Sequence, residues 1–347
     1  NQAQKIDRQQ LLAIADRRLR KELTSLDCLR LILQDGHRVA IEISKGRKSA
    51  LLVTGATGRL GQALLPKLHY EFEIWSLQRS APGENTFQAD LSLSDFGLDS
   101  DQWNFLESRI DSVLHLAAQV DLTLPLESLA PTNVVPLARL ARLGKPIHYA
   151  STLAIPLCTD GHGLVQGGYP RSKWLAEQTL LDTPGLTLRY GHLIGPPRGD
   201  ELLTIAIRGL LDLGCCPTSA DPLLCFDWTP LEWAAEETAR LLAGSKTGRK
   251  TLPVRKNRHF HLNDLARVLE QKYRVTRVTA QELSAVAPNS MLATLACQAL
   301  GKCSGRLLHP AFDLFLLGNS PAMLATSSPA PLDQLESYVA TVVAAGR

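Results

Sequence analysis

One stretch, residues 51–61 with the sequence LLVTGATGRLG, constrains the fold of this chain more than any other. An apolar run is followed at once by three glycines spaced G-x-x-G-x-x-G, which is typical of a buried parallel strand, a tight turn and a helix start. Gly55 permits the turn, Gly58 lets backbone approach a pyrophosphate, and Gly61 lets the helix pack closely. The first helix N-terminus therefore points at an anion, unless the turn is a plain strand-to-helix connection. The other members of this predicted cofactor-binding turn are Thr57, Arg59 and Leu60.

Composition limits the class of protein. With 347 residues and 45% hydrophobic content, the chain can bury a large core, and its length predicts one main domain plus a smaller dependent one. A net charge of +3 is too small to indicate nucleic-acid binding. Seven cysteines without a CxxC pair indicate reduced thiols and no metal site, and no membrane span or signal peptide is evident, so we expect a soluble cytoplasmic protein. The chain begins with Asn1 rather than Met, which predicts a trimmed chain or a domain of a longer polypeptide.

Three parts can be distinguished along the chain. Residues 1–48 form an N-terminal segment that we expect to be helical and basic at first, with a short strand at 37–44. Residues 49–197, with a contribution from 227–253, are predicted to form a dinucleotide-binding domain, and residues 198–226 and 254–347 a substrate-binding lobe. The basic side chains of the first part are either a solvated face or a docking surface for an acidic partner. They include Arg17, Arg18, Arg20 and Lys21.

The second strand, at 73–77, is followed by residues that bear on the choice of cofactor. Standard dinucleotide folds place an Asp or Glu about 20 residues past the glycines to bind the ribose 2′-hydroxyl, whereas an arginine suits a 2′-phosphate. Arg79 stands there and favours NADPH, and Arg59 can add a second charge. The alternative for each arginine is a solvated surface role. Asp90, followed by Leu91, ends the next strand and can accept a hydrogen bond from the adenine amino group, or it is a turn residue.

Further strands alternate with helices. The strand at 112–116 leads into Ala117 and Ala118, whose small side chains let backbone line the cofactor. A later proline-initiated helix at 231–242 follows Thr229, which we expect to be its N-cap. This alternation predicts an α/β fold, a Rossmann-type doubly wound parallel sheet with a smaller C-terminal substrate lobe.

A strand end and a helix supply the candidate catalytic residues. Tyr169 and Lys173 are four residues apart in GGYPRSKWLAEQ and therefore lie on one helix face. A nearby ammonium favours the phenolate, so we expect Lys173 to lower the pKa of Tyr169 from about 10 towards neutrality. Thr152 ends the strand at 146–150 and can hydrogen-bond the same substrate oxygen. Y-x-x-x-K alone is common on ordinary helix faces, but its combination with the glycines and the Ser-Thr strand end indicates an oxidoreductase site.

These motifs resemble those of the extended short-chain dehydrogenase/reductase family. Within that family, three stretches are most similar to the terminal thioester reductase domains of nonribosomal peptide and polyketide synthetases, which are shared with carboxylic acid reductases. The resemblance covers roughly residues 50–240 and fades in the C-terminal third. The stretches are ADLSLSDFGLDSDQW (89–103), VLHLAAQVDLTLPLESLAPTNVV (113–135) with IHYASTLAIP (147–156), and GGYPRSKWLAEQTLL (167–181).

The resemblance implies that NADPH reduces an acyl thioester presented on the phosphopantetheine arm of an acyl or peptidyl carrier protein. The product is an aldehyde, which a second turnover can take to an alcohol, and the chain is a monomer or a domain of a larger synthetase. Tyr169 then acts as the acid, Thr152 stabilises the oxyanion with it, and Lys173 holds the ribose. The segment at Gly191 and His192 resembles the one whose backbone holds the nicotinamide.

Two departures from the family pattern stand out. Only residues 80–89 separate the second strand from the Asp-Leu motif, where the family has a longer helical segment, and Asp121 stands where the family more often has Asn. Two other functions remain open. A nucleotide-sugar epimerase or dehydratase on the same scaffold favours tightly held NAD, against which Arg79 argues. A non-catalytic NADP-sensing module needs the glycines but not Tyr169 and Lys173.

Overall fold

The computed structural model describes residues 27–34, 38–45, 48–80, 83–122, 124–159, 162–199, 201–220, 224–244, 248–287, 289 and 325–346. By its internal contacts the chain divides into two compact units. The first comprises Asn1–Ser49 and Glu71–Glu73, and the second comprises Ala50–Tyr70 and Ile74–Arg347.

A β-hairpin makes up most of the described part of the first unit. Strands β1 (Asp27–Gln34) and β2 (Arg38–Lys45) pair antiparallel, with Leu31 opposite Ile41. Every residue of β1 is paired with a residue of β2, and the apolar positions Leu29, Leu31 and Leu33 stand opposite Ile43, Ile41 and Val39 in this register. The strand predicted at 37–44 is confirmed as β2, but its partner β1 was not predicted. The basic residues of the predicted helix, at positions 17, 18, 20 and 21, lie outside the described residues.

A parallel sheet of seven strands forms the centre of the second unit, in the order β13-β8-β7-β6-β3-β4-β5. It confirms the predicted Rossmann-type fold. The strands predicted at 73–77, 112–116 and 146–150 are found within two residues of those bounds, whereas β13 was not predicted as a strand. The strands of this unit, in chain order, are β3 (Ser49–Thr54), β4 (Phe72–Gln78), β5 (Thr86–Gln88), β6 (Ser112–His115), β7 (Ile147–Thr152), β8 (Gly185–Tyr190), β9 (Leu193–Ile194), β10 (Cys215–Pro217), β11 (Cys225–Asp227), β12 (Thr229–Pro230), β13 (Arg249–Val254), β14 (Arg258–His261), β15 (Thr276–Val278) and β16 (Ser328–Pro329).

Helices cover both faces of the sheet. Arg189 of β8 reaches one face and bonds Glu177, whereas the adjacent Tyr190 reaches the other face and bonds Thr238, because successive strand residues point to opposite sides. The helices, in chain order, are α1 (Arg59–Leu68), α2 (Ser100–Arg109), α3 (Leu126–Asn133), α4 (Val135–Ala141), α5 (Ala154–Leu157), α6 (Gly168–Thr179), α7 (Leu202–Leu213), α8 (Leu231–Ala243), α9 (Leu262–Tyr273), α10 (Ala280–Ala285) and α11 (Leu332–Ala344).

Two hydrophobic clusters form the core of this unit. One lies on the face of the sheet that α6 covers. There, Trp103 of α2, Leu140 of α4 and Ala176 of α6 pack on strand residues such as Leu52. The other joins α7, α9 and α11 around the aromatic rings of Phe226, Trp228 and Phe260. The second cluster falls largely in the sequence that was assigned to a substrate lobe, and short strand pairs such as β9–β12 and β10–β15 accompany it.

Thr229 is not the N-cap of α8, so that prediction is wrong. Pro230 occupies the cap position and makes no side-chain cap hydrogen bond. Thr229 lies in β12, where its hydroxyl donates to Oδ2 of Asp227 at 2.7 Å. A buried carboxylate thus binds the hydroxyl that the local sequence assigned to the helix end.

Candidate active site

The glycine turn has no room for side chains. Gly55 has φ +75°, and a Cβ there would stand 2.5 Å from the backbone N of Ala117, so the segment after β6 packs directly on the turn. A Cβ at Gly61 would stand 2.4 Å from the carbonyl O of Gly55. Among the described residues, no side chain caps the N-terminus of α1 at Gly58. Free backbone N–H groups in a tight glycine cradle fit the pyrophosphate of a dinucleotide.

Arg79 and Asp90 lie near each other beyond the ends of β4 and β5. Oδ1 of Asp90 accepts hydrogen bonds from the backbone N and the hydroxyl of Ser92, at 2.9 and 2.7 Å. These bonds, with a smaller contribution from the positive charge of Arg79, lower the pKa of Asp90. Asp90 therefore stays ionised, in a turn, close to an exposed arginine. The following residue, Leu91, offers its carbonyl to Arg139 at 3.3 Å.

Arg59 is already paired with an acidic residue. Its Nη1 lies 3.1 Å from Oε1 of Glu201, the residue before α7. Glu201 also accepts from the backbone N of Arg198 and Gly199 at 2.8 to 3.0 Å. Nη2 of Arg59 is buried and has no hydrogen-bond partner among the described residues. The assignment of Arg59 to a 2′-phosphate stays a prediction, and Arg79 is the better placed of the two beside Asp90.

Lys173 is buried beneath the ends of the strands. It is 2% exposed, and its Nζ donates to the carbonyl O of Ala150 in β7 at 2.6 Å. The same Nζ lies 4.4 Å from the ring centroid of Tyr149. Burial lowers the pKa of Lys173 to about 7, against the opposing charge of Glu177. Near neutral pH the side chain therefore exists in both protonation states.

Tyr169 keeps its proton in this structure. Burial raises the pKa of Tyr169 to about 12. The expectation that Lys173 brings this pKa down is therefore wrong here, because burial penalises the phenolate and the Lys173 ammonium donates to Ala150 instead. The protonated phenol is nevertheless the form that a general acid requires.

Thr152 ends β7, two residues after the carbonyl that Lys173 binds. Its Oγ1 accepts a hydrogen bond from the backbone N of Ala154 at 3.0 Å. An oxygen that accepts from this amide still has its own O–H to donate. The hydroxyl is therefore oriented by α5 and retains a donor for a substrate oxygen.

A buried ionic network fixes α6 to the sheet. Glu177 accepts from Ser151 Oγ at 2.6 Å and from both Nε and Nη2 of Arg189, at 2.9 and 2.6 Å. Glu177 lies one helical turn after Lys173 on the same face, so the network sets the rotation of the helix that carries both candidate catalytic side chains. We did not predict this role, and only the four-residue spacing signals it in the sequence.

A second network braces the segment at Gly191 and His192. The backbone N of His192 donates to Oδ2 of Asp227 at 2.9 Å, and Nε of Arg255 lies 3.3 Å from Oδ1 of the same carboxylate. A Cβ on Gly191 would stand 2.2 Å from that Oδ2. The predicted nicotinamide segment is thus held by a buried ion pair whose members are far apart in the sequence, so their pairing could not be predicted from local pattern.

Asp121 serves a local turn, since its Oδ1 accepts a hydrogen bond from the backbone N of Leu124 at 3.3 Å.

Over the described ranges, no group of three His, Cys, Asp or Glu side chains is arranged to hold a metal ion. In the same ranges, every helix is too short or too polar to cross a membrane.

The geometry can be compared with known proteins. Residues 73–165 match the NAD_binding_4 family model, described as "Male sterility protein". A PKS-NRPS hybrid synthetase of Chaetomium globosum is 31% identical over 217 residues, which are 49% of this chain and 5% of that protein. A carboxylic acid reductase of Segniliparus rugosus is 27% identical over 260 residues, 62% of this chain and 21% of that protein. The chain thus spans a minor part of the length of each relative.

Solved structures share the fold. The terminal R domain from the myxalamid PKS-NRPS pathway superposes with a TM-score of 0.69 at 22% identity, covering 87% of this chain and 92% of that one. A thiolation-reductase di-domain from an archaeal non-ribosomal peptide synthetase gives 0.62 at 14% identity, covering 86% and 76%. The resemblance to terminal reductase domains and carboxylic acid reductases is confirmed. An NAD-binding family match on a Rossmann-type fold also supports a nicotinamide cofactor for this chain.

Proposed function

We propose that this chain uses NADPH to reduce an acyl thioester carried on the phosphopantetheine arm of a carrier protein, releasing an aldehyde. One observation carries the proposal. Lys173 binds the backbone of β7 two residues before Thr152, and Tyr169 lies one turn before it on α6, so the candidate catalytic residues share one end of the sheet. The carboxyl ends of parallel strands are where α/β folds bind ligands.

Each side chain has a defined part in the proposed reaction. The bound nicotinamide supplies the hydride. Thr152 donates a hydrogen bond to the thioester carbonyl oxygen, and Tyr169 donates a second and then its proton as negative charge develops there. Lys173, which titrates near neutral pH, orients the ribose and supports proton return to Tyr169. The carrier thiol then leaves, and a further reduction of the aldehyde to an alcohol uses the same groups.

The choice of NADPH rests on Arg79. The exposed guanidinium stands near Asp90, at the end of the sheet where a ribose 2′-phosphate is bound in dinucleotide folds. The two residues directly after β4, Arg79 and Ser80, are not acidic and offer no carboxylate to a free 2′-hydroxyl. A guanidinium suits a phosphate better than a hydroxyl, because it forms charge-assisted hydrogen bonds with the phosphate oxygens.

The carrier protein is proposed from the relatives. This chain matches 5% of the length of a PKS-NRPS hybrid synthetase, and a solved neighbour joins a thiolation domain to a reductase domain. We infer that an acyl or peptidyl carrier protein delivers the substrate to this chain, either within one polypeptide or as a separate partner.

Replacement of Tyr169 by phenylalanine tests the chemistry. The variant loses the proton donor but keeps the ring, so kcat for thioester reduction should fall about 10²–10⁴-fold while the Kd for NADPH is unchanged. Tyr70→Phe, at a site that is 83% exposed, is the matched control and should retain wild-type kcat. A kcat that survives in Tyr169→Phe would show that another group donates the proton.

A further inference from the structure

Lys173 has few partners for a buried cation. Its Nζ bonds one carbonyl oxygen, that of Ala150, and faces the ring of Tyr149 at 4.4 Å. A carboxylate is close in sequence, but Glu177 directs its oxygens to Ser151 and Arg189. A buried ammonium usually needs compensation for its lost hydration. In the part of the chain that the structure describes, one carbonyl and one aromatic face supply the direct contacts.

The ring of Tyr149, rather than its hydroxyl, is the group that meets the lysine. Tyr149 is fully buried, and its hydroxyl has no hydrogen-bond partner among the described residues. Burial raises the pKa of Tyr149 well above its usual value, so the hydroxyl stays neutral. The ring also stacks on His115 with 5.9 Å between ring centroids, and Nδ1 of His115 is 2.7 Å from Thr54 Oγ1. The ring is therefore fixed in place by the two central strands.

We propose that Tyr149 is a positioning residue: its aromatic face holds the Lys173 ammonium beneath the active site by a cation–π contact. This inference rests on the proposed function, in which Lys173 serves Tyr169 and the cofactor. A cation within about 6 Å of a ring centroid is attracted by the negative face of the ring, and this attraction grows when water is excluded. Tyr149 thus compensates part of the cost of burying the charge.

Other charged groups near Lys173 do not replace this contact. On α6 itself, Tyr169 is protonated and Glu177 is engaged by Arg189 of β8. On β6, burial lowers the pKa of His115 to about 3, so its ring is neutral. The charged residues of the neighbouring helices are elsewhere: α5 has none, Glu127 of α3 is exposed, and Arg139 of α4 bonds the carbonyls of Leu91 and Leu93.

Fluorination of the ring tests the proposal without relying on turnover. Tyr149→Phe is compared with replacements of Tyr149 by mono-, di- and trifluorophenylalanine, which keep the ring shape while weakening its negative face. The pKa of Lys173 is read in cofactor-free protein by NMR of ¹³Cε-labelled lysines, with the resonance assigned by its loss in Lys173→Met. The matched control is the same series at Phe260, a buried ring in the other core cluster.

The pKa of Lys173 should stay near its wild-type value in Tyr149→Phe and fall stepwise with each fluorine, by about one pH unit over the series. The basic limb of the kcat profile should move to lower pH in parallel, while the Phe260 series leaves the pKa of Lys173 unchanged. The proposal would be overturned if the pKa of Lys173 were the same in all folded Tyr149 variants. It would also be overturned if this pKa fell in Tyr149→Phe and did not fall further on fluorination. If the NMR trend holds but no thioester is reduced by wild type, the proposed function fails and the tyrosine–lysine contact stands.

Discussion

Burial sets the protonation states of the two central side chains in opposite directions. It raises the pKa of Tyr169 to about 12 and lowers that of Lys173 to about 7, because each neutral form is favoured away from water. An acid that holds its proton beside a base that titrates near neutrality is a pair suited to donating and recovering a proton. The pKa values of Tyr169 and Lys173 therefore depend on where α6 packs, and the Y-x-x-x-K spacing alone does not determine them.

Arg79 tests cofactor choice at the residue scale. Arg79→Ala should raise the Kd for NADPH far more than that for NADH, because loss of a charge-assisted contact to phosphate costs about 1–3 kcal/mol. The measurement is a fluorescence titration with each cofactor. Arg240→Ala, at an exposed arginine of α8, is the control and should alter neither Kd. An equal change in both values for Arg79→Ala would remove the 2′-phosphate assignment.

Two contacts join α1 to the segment before α7. Arg59 pairs with Glu201, and the guanidinium of Arg198 bonds Oε1 of Gln62. The first turn of α1 is thereby tied to the segment before α7, which lies more than a hundred residues away in sequence. Burial acts to raise the pKa of Glu201. The hydrogen bonds from the backbone N of Arg198 and the positive charge of Arg59 outweigh it, so the pKa is lowered.

Glu201→Gln tests this connection. The unfolding free energy should fall by about 1–3 kcal/mol at neutral pH, because charge-assisted hydrogen bonds are lost. Since the folded-state pKa of Glu201 is lowered, the difference from wild type should be complete above the unfolded pKa of about 4.3 and disappear as pH falls through the folded value. Arg59→Gln with Glu201→Gln should cost less than the sum of the single changes. A pH-independent difference from wild type, or additive costs, would argue against the ion pair.

Local pattern predicted the elements but not the contacts between them. The strand over residues 73–77 and the helix over 231–242 follow from apolar runs and a proline start, and both were found close to their predicted bounds. The N-cap at Thr229 was wrong because the carboxylate of Asp227 binds that hydroxyl. The ion pair of Asp227 with Arg255, like that of Arg59 with Glu201, joins residues that no sequence period relates.

At the scale of the whole molecule, the candidate site lies where a doubly wound sheet gathers strand ends from separate parts of the sequence. β3, β6, β7 and β8 are adjacent in the sheet although they span residues 49–190, and each ends in a predicted site residue or in the segment next to one. The predicted catalytic residues thus stand on rigid elements, which favours precise placement of reacting groups. The docking hypothesis for the N-terminal arginines concerns residues outside those described.

Turnover on a minimal substrate tests the central claim most directly. The purified chain is mixed with NADPH and an acyl-pantetheine thioester, and NADPH oxidation, free thiol and aldehyde are quantified together. The proposed function predicts one NADPH oxidised and one free thiol for each aldehyde that accumulates, and one further NADPH for each aldehyde reduced on to the alcohol. The reaction should be slower with NADH, and the free acid should give no product. Cofactor binding without consumption of either carrier-bound or pantetheine thioester, or turnover of a nucleotide sugar in its place, would contradict the assignment.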